Sequence, residues 1–334
     1  MKSLSHPATA NPYLIKLRNF WNHGDRLWNG IIMLMAVLVL LIVLGIGYLL
    51  WIDSSSAREL FGIRFIIPTL DASWNPVTNN YQAWPFIYGT LITSIFALFI
   101  ALPISLGISI FLAELCPGWL RLPLGWLIEL LAAIPSVVYG LWGIFIFLPS
   151  VITPLGNFLG SVLGPIPIIG MLFAGSIPAG GTSRLAASVI LAIMITPTIT
   201  AVSRDVLLAI PRAQREASLA LGSTEWEMIW QVLLPYGLSG ILGAIILGLG
   251  RALGETMAVT MVIGNSIEGS LSLLRPGYTM ASIIANEFAE ALSNLHSEAM
   301  VQIALILFFI TLFLNLIARL LVWRVARRTP QEGR

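Results

Sequence analysis

The chain is 334 residues long, 57% of its residues are hydrophobic, and only 10% are Asp, Glu, Lys or Arg, with a formal net charge of +2. In a soluble domain roughly a quarter of the residues are charged. This composition, with a mean hydropathy of +0.89, therefore excludes a soluble globular enzyme. The small surplus of positive charge is spread along the sequence and forms no basic cluster, so we expect no nucleic-acid partner. The single cysteine, Cys116, excludes an intrachain disulfide and a cysteine-rich metal site.

The apolar residues are gathered into blocks of about 20 residues or more, the length needed to cross a hydrocarbon core of about 30 Å. They predict an all-α polytopic membrane protein with six transmembrane helices. The predicted spans are Gly30–Ile52, Pro85–Leu115, Leu124–Leu148, Leu185–Val202, Tyr236–Ile263 and Met300–Trp323. We expect Pro103, Pro135 and Pro197, inside these spans, to kink a helix or to end a helical segment.

Polar segments divide the chain further. Residues 1–29 lack the apolar core and cleavage site of a signal peptide, so we expect a retained cytoplasmic segment. Residues 30–84 comprise the first transmembrane helix and an external loop, residues 85–323 the transmembrane core, and residues 324–334 a cytoplasmic tail. In the external loop, Trp74, Tyr81 and Trp84 are placed as an interfacial aromatic belt would be.

Residues 149–183 are apolar but rich in glycine and proline. The prolines are Pro149, Pro154, Pro165, Pro167 and Pro178. Because proline and glycine interrupt helices, we do not expect an uninterrupted membrane helix there. The pattern predicts an interfacial or partly re-entrant loop.

The basic residues indicate the orientation of the spans. With a cytoplasmic N-terminus, the inside segments carry Lys2, Lys16, Arg18, Arg26, Arg121, Arg204, Arg212, Arg215, Arg324, Arg327, Arg328 and Arg334. The outside segments then carry Arg58, Arg64 and Arg275. Both termini are therefore expected in the cytoplasm, and the even number of spans agrees.

Several features are absent from the sequence. Neither lysine, Lys2 or Lys16, follows a glycine, so no Gly-Lys-Ser/Thr phosphate-binding loop can form. No segment between spans is much longer than ~35 residues, which is too short for an ordinary ligand-binding domain. A powered transport cycle would need its motor and any external receptor on other chains. His6, His23 and His296 are far apart, and we expect no metal site.

The polar stretch 203–235 predicts two short amphipathic helices joined by a glycine. Pro211 marks the start of the first helix and Gly222 its end. Thr224 and Glu227 have the spacing of a capping box at the start of the second. We expect a compact hook, residues 203–235, that projects from the membrane; the alternative is a solvated hairpin at the membrane surface.

The hook resembles the EAA loop of ABC-importer permeases. The matching residues are Glu216-Ala217-Ser218, then Gly222 after three residues, then Val232-Leu233-Leu234-Pro235 after nine more. Ser218 and Val232 replace the commoner Ala and Ile, but the spacing is complete. In that family the loop forms coupling helices that dock into a groove on the ATPase. The resemblance implies this role for Glu216, Ala217 and Gly222.

A second resemblance narrows the family. The run Gly250–Val259, Gly-Arg-Ala-Leu-Gly-Glu-Thr-Met-Ala-Val, is similar to the signature of PstC- and PstA-type phosphate permeases. Ile134–Gly140 and Ile284–Phe288 resemble PstC more than PstA. The resemblance covers much of residues 85–323. It implies a permease subunit of a type I, ATP-driven phosphate importer in a bacterial inner membrane, which forms half of the pathway and faces the periplasm with its external loop.

The same resemblance implies partners. They are a second, related permease (PstA-like), an ATPase dimer (PstB-like), an external phosphate-binding protein (PstS-like) and membrane lipid. ATP and Mg²⁺ would be bound by the ATPase, so we expect no cofactor and no catalytic residue in this chain.

Arg251 and Glu255 lie well inside the fifth predicted span, where a charge costs about 2.5–3.5 kcal/mol or more. Four residues apart on a helix, they could form a structural ion pair. The functional hypothesis is that Arg251 offers its planar guanidinium to a passing oxyanion, while Glu255 prevents overly tight binding or accepts the proton that phosphate carries. Thr256 belongs to the same predicted substrate pathway.

Small residues and two further acids complete the candidate set. Gly240, Gly243, Gly250, Gly254 and Ala258 permit close helix approach, either within the chain or at a seam with a second permease. Glu114 is expected at the cytoplasmic interface, solvated. Glu129 is deeper, and we expect it to pair with an arginine such as Arg204 or to take part in gating.

Three rival functions stay open from sequence. One is a permease for another oxyanion such as molybdate or sulfate, although the run around Gly254-Glu255-Thr256 favours phosphate. The second is an ion-driven transporter or channel, for which we find no inverted repeat. The third is a signalling scaffold that reports phosphate supply without carrying it.

Overall fold

The computed structural model describes residues 12–67, 74–267, 269–291 and 293–326, with side chains from residue 28 to residue 324 within these ranges. Most of the residues in these ranges are helical. Within the described ranges, six helices are long and apolar enough to cross a membrane, which confirms the predicted number. Three predicted features lie outside these ranges: His6, the start of the segment 1–29 and most of the tail 324–334.

The helices and strands follow one another as a long α-helical chain with one short hairpin. The first part contains α1 Pro12–Asp53, α2 Ser55–Phe61, β1 Trp74–Asn75, β2 Asn80–Tyr81, α3 Trp84–Ile110, α4 Gly118–Ala133, α5 Ser136–Trp142, α6 Thr153–Leu163 and α7 Ile169–Leu172. The second part contains α8 Arg184–Leu208, α9 Arg212–Ala220, α10 Glu225–Met228, α11 Leu234–Gly254, α12 Met257–Val262, α13 Met280–Glu287 and α14 Asn294–Ala326. π-Helical turns join α3 to Leu115, α5 to α6 and α10 to α11. The strands β1 and β2 pair antiparallel.

The chain divides into two units between Ile52 and Asp53. The first unit contains α1, whose residues from Ile31 to Ile52 are apolar and include no buried side chain. A helix that is apolar on every side is typical of a membrane span.

The second unit is built around α8, the most buried of its spans. Its buried side chains pack against small residues of α3 and α11 and against α12. This core cluster includes Ala97, Ala101, Leu185, Ile190, Met194, Ile195, Ile199, Ala244, Ala252, Val259 and Val262. Ser105 and Thr200 also join α3 to α8, because the Thr200 hydroxyl donates to the Ser105 carbonyl (3.4 Å). Close packing and interhelical hydrogen bonds are what hold helices together in lipid.

The prediction that the third span, Leu124–Leu148, is a single helix is wrong. α4 ends at Ala133 and Ile134 adopts an extended conformation before Pro135, because proline disfavours a helical residue before it and lacks a backbone donor. The predicted interruption at Pro135 is thereby confirmed. α3 and α8, by contrast, continue through Pro103 and Pro197.

The loop predicted over residues 149–183 is wrong in its first part. A continuous helix runs from Ser136 to Leu163. Pro149 lies in the π-helical segment that joins α5 to α6, and Pro154 lies in the first turn of α6, directly after that segment, so both prolines lie where the α-helical hydrogen-bonding pattern is altered. Non-helical backbone predominates only after Leu163, where α7 is a single turn.

The two ends of the second unit are structurally distinct. The hook end contains the C-terminal ends of α3 and α8, together with α9 and α10. The opposite end has its own core, formed by Phe65, Trp74, Tyr81, Phe86, Tyr278, Met280, Ile283, Met300 and Ile303. Trp74 and Tyr81 are therefore buried in this core, and the prediction that they form an interfacial belt is wrong. The hydroxyl of Thr90 on α3 accepts a hydrogen bond from Met280 N (2.8 Å).

Candidate functional site

Arg251 lies in the last turn of α11 and is half-buried. Its Nη1 donates to Thr198 Oγ1 (3.1 Å), near the middle of α8. Within the described ranges no carboxylate lies within 4.0 Å of its guanidinium. Arg251 is thus a cation inside the bundle whose charge no acid of the described residues neutralises by direct contact, and a guanidinium has further N–H donors to offer an oxyanion.

Glu255 does not continue the helix of Arg251. α11 ends at Gly254, and Glu255 has extended backbone angles (φ −69°, ψ 125°). Its Oε1 accepts from the backbone N–H of Ala258 (3.3 Å) in the first turn of α12. The structural ion pair considered for the two charges therefore does not form, because the four-residue helical spacing that it requires is interrupted.

Thr256 lies in the two-residue break between α11 and α12. Its hydroxyl donates to the carbonyl of Gly254 (3.2 Å) and its own carbonyl accepts from the Thr260 hydroxyl (2.8 Å). The fifth predicted span, Tyr236–Ile263, is thus two helices instead of one, and the structure brings Arg251, Glu255 and Thr256 together at the point where they meet.

The small residues of α11 face two different environments. A Cβ on Gly248 would lie 2.7 Å from Ile199, and a Cβ on Gly240 would lie 2.5 Å from Val206, so these glycines permit close packing on α8. A Cβ on Gly243, Gly250 or Gly254 would have no atom within 4 Å. These three positions form one open face of α11, because they are seven and four residues apart.

The hook has the two predicted helices. α9 ends before Gly222, which has φ +90°, and Thr224 and Glu227 form the predicted capping box at the start of α10. Glu216 and Ala217 are exposed on α9. The backbone angle, and not packing, explains the glycine at position 222. A Cβ there would meet no other atom within 4 Å, but a φ of +90° is unfavourable for a residue that carries one.

The structure adds a pair that sequence reasoning missed. Arg215 on α9 binds the Glu114 carboxylate at the end of α3 with Nε and Nη2, at 3.0 and 2.7 Å. Arg215 also donates to the carbonyls of Leu207 and Ile210, where α8 ends. The side chain of Glu114 is only 11% exposed, so the prediction that it is solvated is wrong. Its distance of 101 residues from Arg215 in the chain explains why no local pattern revealed the pair.

Glu129 pairs with Arg204, as predicted. The Glu129 Oε1 lies 3.6 Å from Arg204 Nη2, which also lies 3.0 Å from Asp205. Because the Glu129 side chain is 59% exposed, solvent screens this pair. A role of Glu129 in gating stays a prediction.

Arg184, at the start of α8, is a second residue that the sequence did not single out. It is 1% exposed, and its Nη1 donates to the carbonyls of Ser270 (2.8 Å) and Ser272 (3.0 Å). Its guanidinium also lies over the ring of Tyr88. Arg184 thereby fastens the segment that follows α12 to the bundle, which is a structural role.

The described ranges contain no group of three His, Cys, Asp or Glu side chains close enough to hold a metal ion. His296 is buried in the core of the opposite end, where its ring stacks on Tyr81 with the centroids 5.4 Å apart.

The family model of the binding-protein-dependent transport system inner membrane component matches residues 105–327. The chain belongs to this permease family. Its members are transport components and not enzymes, and the six apolar helices agree with a multi-pass membrane protein.

Relatives of this permease are named phosphate transport system permease protein PstC. The one from Pasteurella multocida is 47% identical over 299 residues, covering 90% of this chain and 91% of the relative. The one from Haemophilus influenzae is 42% identical over 314 residues, covering 93% and 98%. The one from Xylella fastidiosa strain Temecula1 is 46% identical over 280 residues, covering 84% of both.

Solved structures share the fold of the permease at low identity. A bacterial ABC transporter involved in the import of alginate matches with a TM-score of 0.54 at 16% identity, covering 93% of this chain and all of that one. The inward-facing MetNI methionine ABC transporter matches with a TM-score of 0.53 at 19% identity, covering 76% and 99%. These likenesses concern the fold alone.

Proposed function

We propose that this permease is the PstC-type subunit of an ATP-driven phosphate importer and forms half of its translocation pathway. The observation that carries the proposal is Arg251, a guanidinium inside the bundle that has a hydroxyl partner, Thr198, and no carboxylate of the described residues within 4.0 Å. The PstC names of relatives at 42–47% identity support phosphate as the substrate.

Arg251, Glu255 and Thr256 would act on the anion in different ways. The planar guanidinium of Arg251 offers several N–H donors, which offset the loss of phosphate hydration. Glu255 places a negative charge close to the same break and limits the affinity, so that the anion is released. It also offers an acceptor for the proton that phosphate, unlike sulfate, carries at neutral pH. The Thr256 hydroxyl adds a neutral hydrogen-bonding group.

The remaining subunits would be separate chains. We propose that a PstA-like permease packs on the open face of Gly243, Gly250 and Gly254, where small residues permit close approach. A PstB-like ATPase dimer would bind ATP and Mg²⁺ and dock on the hook, and a PstS-like binding protein would deliver phosphate from outside. The hook end and both termini would then be cytoplasmic.

The hook would transmit the motion of the ATPase. Glu216 and Ala217 are exposed for docking, and Gly222 sets the angle between α9 and α10. Arg215 joins α9 to the ends of both α3 and α8. Closure of the ATPase would therefore move the two most extensively packed helices of the bundle together. Glu129, paired with Arg204 on α8, is our candidate for a gating contact at the same end.

The test is uptake of labelled phosphate at low external concentration, in cells whose other phosphate transporters have been removed. Deletion of this chain should abolish uptake, and the chain should restore it in the presence of excess sulfate or molybdate. Arg251→Gln should lower uptake at least about tenfold, because one charge-assisted hydrogen bond contributes about 1.5–3 kcal/mol. Glu255→Gln should also lower it.

The matched control is Arg64→Gln, which removes an exposed arginine at the opposite end. Co-purification of the ATPase verifies assembly of each variant. Inhibition by sulfate or molybdate would favour the alternative oxyanion. Full uptake without this chain would refute the transport role and leave a signalling scaffold.

A further inference from the structure

The opposite end of the permease contains a cavity of about 600 Å³ that the proposed transport pathway does not use. Its polar lining includes Trp74, Tyr278, Asn286, Glu287, Glu290 and His296. Asn286 and Glu287 belong to the run Ile284–Phe288, which resembles PstC-type permeases and is not among the residues of the proposed pathway. We call this space the outer cavity.

The chemistry of the outer cavity is that of hydrogen-bond acceptors. Two carboxylates, Glu287 and Glu290, line it, and none of the described residues that line it is Lys or Arg. Trp74 Nε1 donates to Glu287 Oε2 (2.8 Å), and Asn286 Nδ2 points to the Tyr278 hydroxyl (3.4 Å), which leaves the amide oxygen of Asn286 as an acceptor. Such a lining favours a ligand with positive charge and several N–H donors.

His296 gives a second, independent indication of a ligand. Its side chain is 3% exposed and lines the cavity, yet neither ring nitrogen makes a hydrogen bond within the described ranges. Nε2 lies 3.4 Å from Glu287 Oε2. Buried polar atoms in native proteins are almost always hydrogen-bonded. Within the described ranges Nδ1 has no hydrogen-bond partner and Nε2 has only the Glu287 carboxylate nearby, so the His296 imidazole supports the presence of a further group at this site.

The walls of the outer cavity are held in place before any ligand arrives. Tyr81 stacks on His296, and Trp74 packs edge-on against Tyr81 with centroids 4.7 Å apart. α13, which ends at Glu287, begins with a capping box at Thr279. Burial raises the pKa of the Tyr278 hydroxyl; the hydrogen bond with Asn286 opposes this rise, and the Glu287 and Glu290 carboxylates add to it. A preformed site avoids much of the ordering cost of binding.

The charge of the outer cavity and the arrangement of its side chains exclude two classes of ligand. Among the described lining residues no Lys or Arg offsets the two carboxylates, unlike at Glu255, which lies close to Arg251. The outer cavity therefore repels phosphate and does not fit an anion pathway. No three metal-ligating side chains of the described ranges come close enough to hold a metal ion. A guanidinium or ammonium group matches both the charge and the surplus of acceptors of the outer cavity, which Trp74 and Tyr278 also line.

We propose that the outer cavity receives an arginine or lysine side chain of the external binding protein when that protein docks. The proposal rests on the proposed function, since it takes the end opposite the hook as the external end. A basic anchor held by Glu287, Glu290 and His296 would fix the register of docking and speed the encounter electrostatically.

The test measures docking of the purified PstS-like binding protein on the complete transporter in nanodiscs. The variants are Glu287→Gln, which keeps an oxygen for Trp74, Glu290→Gln and the double variant. The control is Glu59→Gln, an exposed acid of α2 at the same end. The double variant should weaken docking at least about tenfold and flatten its dependence on salt, with basal ATP hydrolysis unchanged.

Several outcomes would overturn the proposal. Unchanged docking of the double variant would do so, and so would an equal loss in Glu59→Gln, which would indicate a general charge effect. An unaltered salt dependence would also contradict a charged anchor. Arg251→Gln separates the two hypotheses, since it should lose transport but retain docking. Wild-type docking with no phosphate uptake would refute the proposed function while the docking assay still tests the cavity.

Discussion

At the residue scale, the charges inside the bundle have different partners and therefore different roles. Arg184 donates to backbone carbonyls and Arg215 binds a nearly buried carboxylate, so both are fixed in place. Arg251 has only the Thr198 hydroxyl among the hydrogen-bond partners that we observe in the described ranges. The Thr198 hydroxyl holds the Arg251 guanidinium in place without neutralising its positive charge. Arg251 is therefore suited to bind an anion transiently.

The Arg215–Glu114 pair predicts a sharp difference between single and double substitutions. Arg215→Gln leaves the Glu114 carboxylate poorly solvated and unpaired, which should cost about 3–5 kcal/mol locally. The double variant with Glu114→Gln should recover much of this loss, because no buried charge remains. Thermal unfolding of the assembled transporter, together with phosphate imported per ATP hydrolysed, measures both effects.

The control for this prediction is Arg212→Gln, which removes an exposed arginine from the same helix. Arg212→Gln should leave the unfolding temperature of the transporter equal to that of the wild type within experimental error. If the single and double variants were equally stable, the pair would contribute nothing to the attachment of the hook.

At the element scale, sequence reasoning succeeded where local chemistry decides the structure. The hook follows from Pro211, Gly222 and the Thr224–Glu227 capping box, which act over three or four residues. It failed at Pro149, because a π-helical turn accommodates the missing N–H. It also failed at Glu255, whose carboxylate begins a new helix at a position where hydropathy alone indicates continuity.

The turn at Gly222 gives the prediction at this scale. Gly222→Ala should cost about 1–2 kcal/mol, because φ +90° is unfavourable for a residue with a Cβ. Gly222→Asn should be milder, since asparagine tolerates positive φ, as Asn79 and Asn265 do in this chain. Hydrogen exchange of the α9 and α10 amides, with ATPase co-purification, measures the effect.

Equal damage from the two substitutions at Gly222 would contradict a backbone explanation. It would instead indicate that any side chain at this position interferes with the ATPase.

At the scale of the whole molecule, the contacts that could not be predicted are those between distant segments. The pairing of Glu114 with Arg215 and the burial of Trp74 and Tyr81 depend on which helices meet, and hydropathy does not encode that choice. The split of the α11 glycines into a packed side and an open side is of the same kind.

That split predicts two different defects. Gly250→Leu should leave the chain itself folded, since a Cβ there would meet no atom within 4 Å, but should block packing of a second permease. Gly248→Leu should disturb the fold itself, because Ile199 is 2.7 Å from the added Cβ. Co-purification with the PstA-like chain and protease resistance of the single chain distinguish the two.

Loss of protease resistance in Gly250→Leu, or normal assembly of that variant, would contradict an intersubunit role for the open face.

The break between α11 and α12 has a consequence for hydration. Where one helix ends and another begins, several carbonyls of the first and amides of the second lose their intrahelical partners. The Glu255 carboxylate accepts from only one of these amides, that of Ala258. Backbone of this kind is stable at membrane depth only where protein or water satisfies it. The interior of the permease beside Arg251 should therefore be wet even before an anion enters, and the amides of residues 255–257 should exchange with deuterium far faster than those on either side.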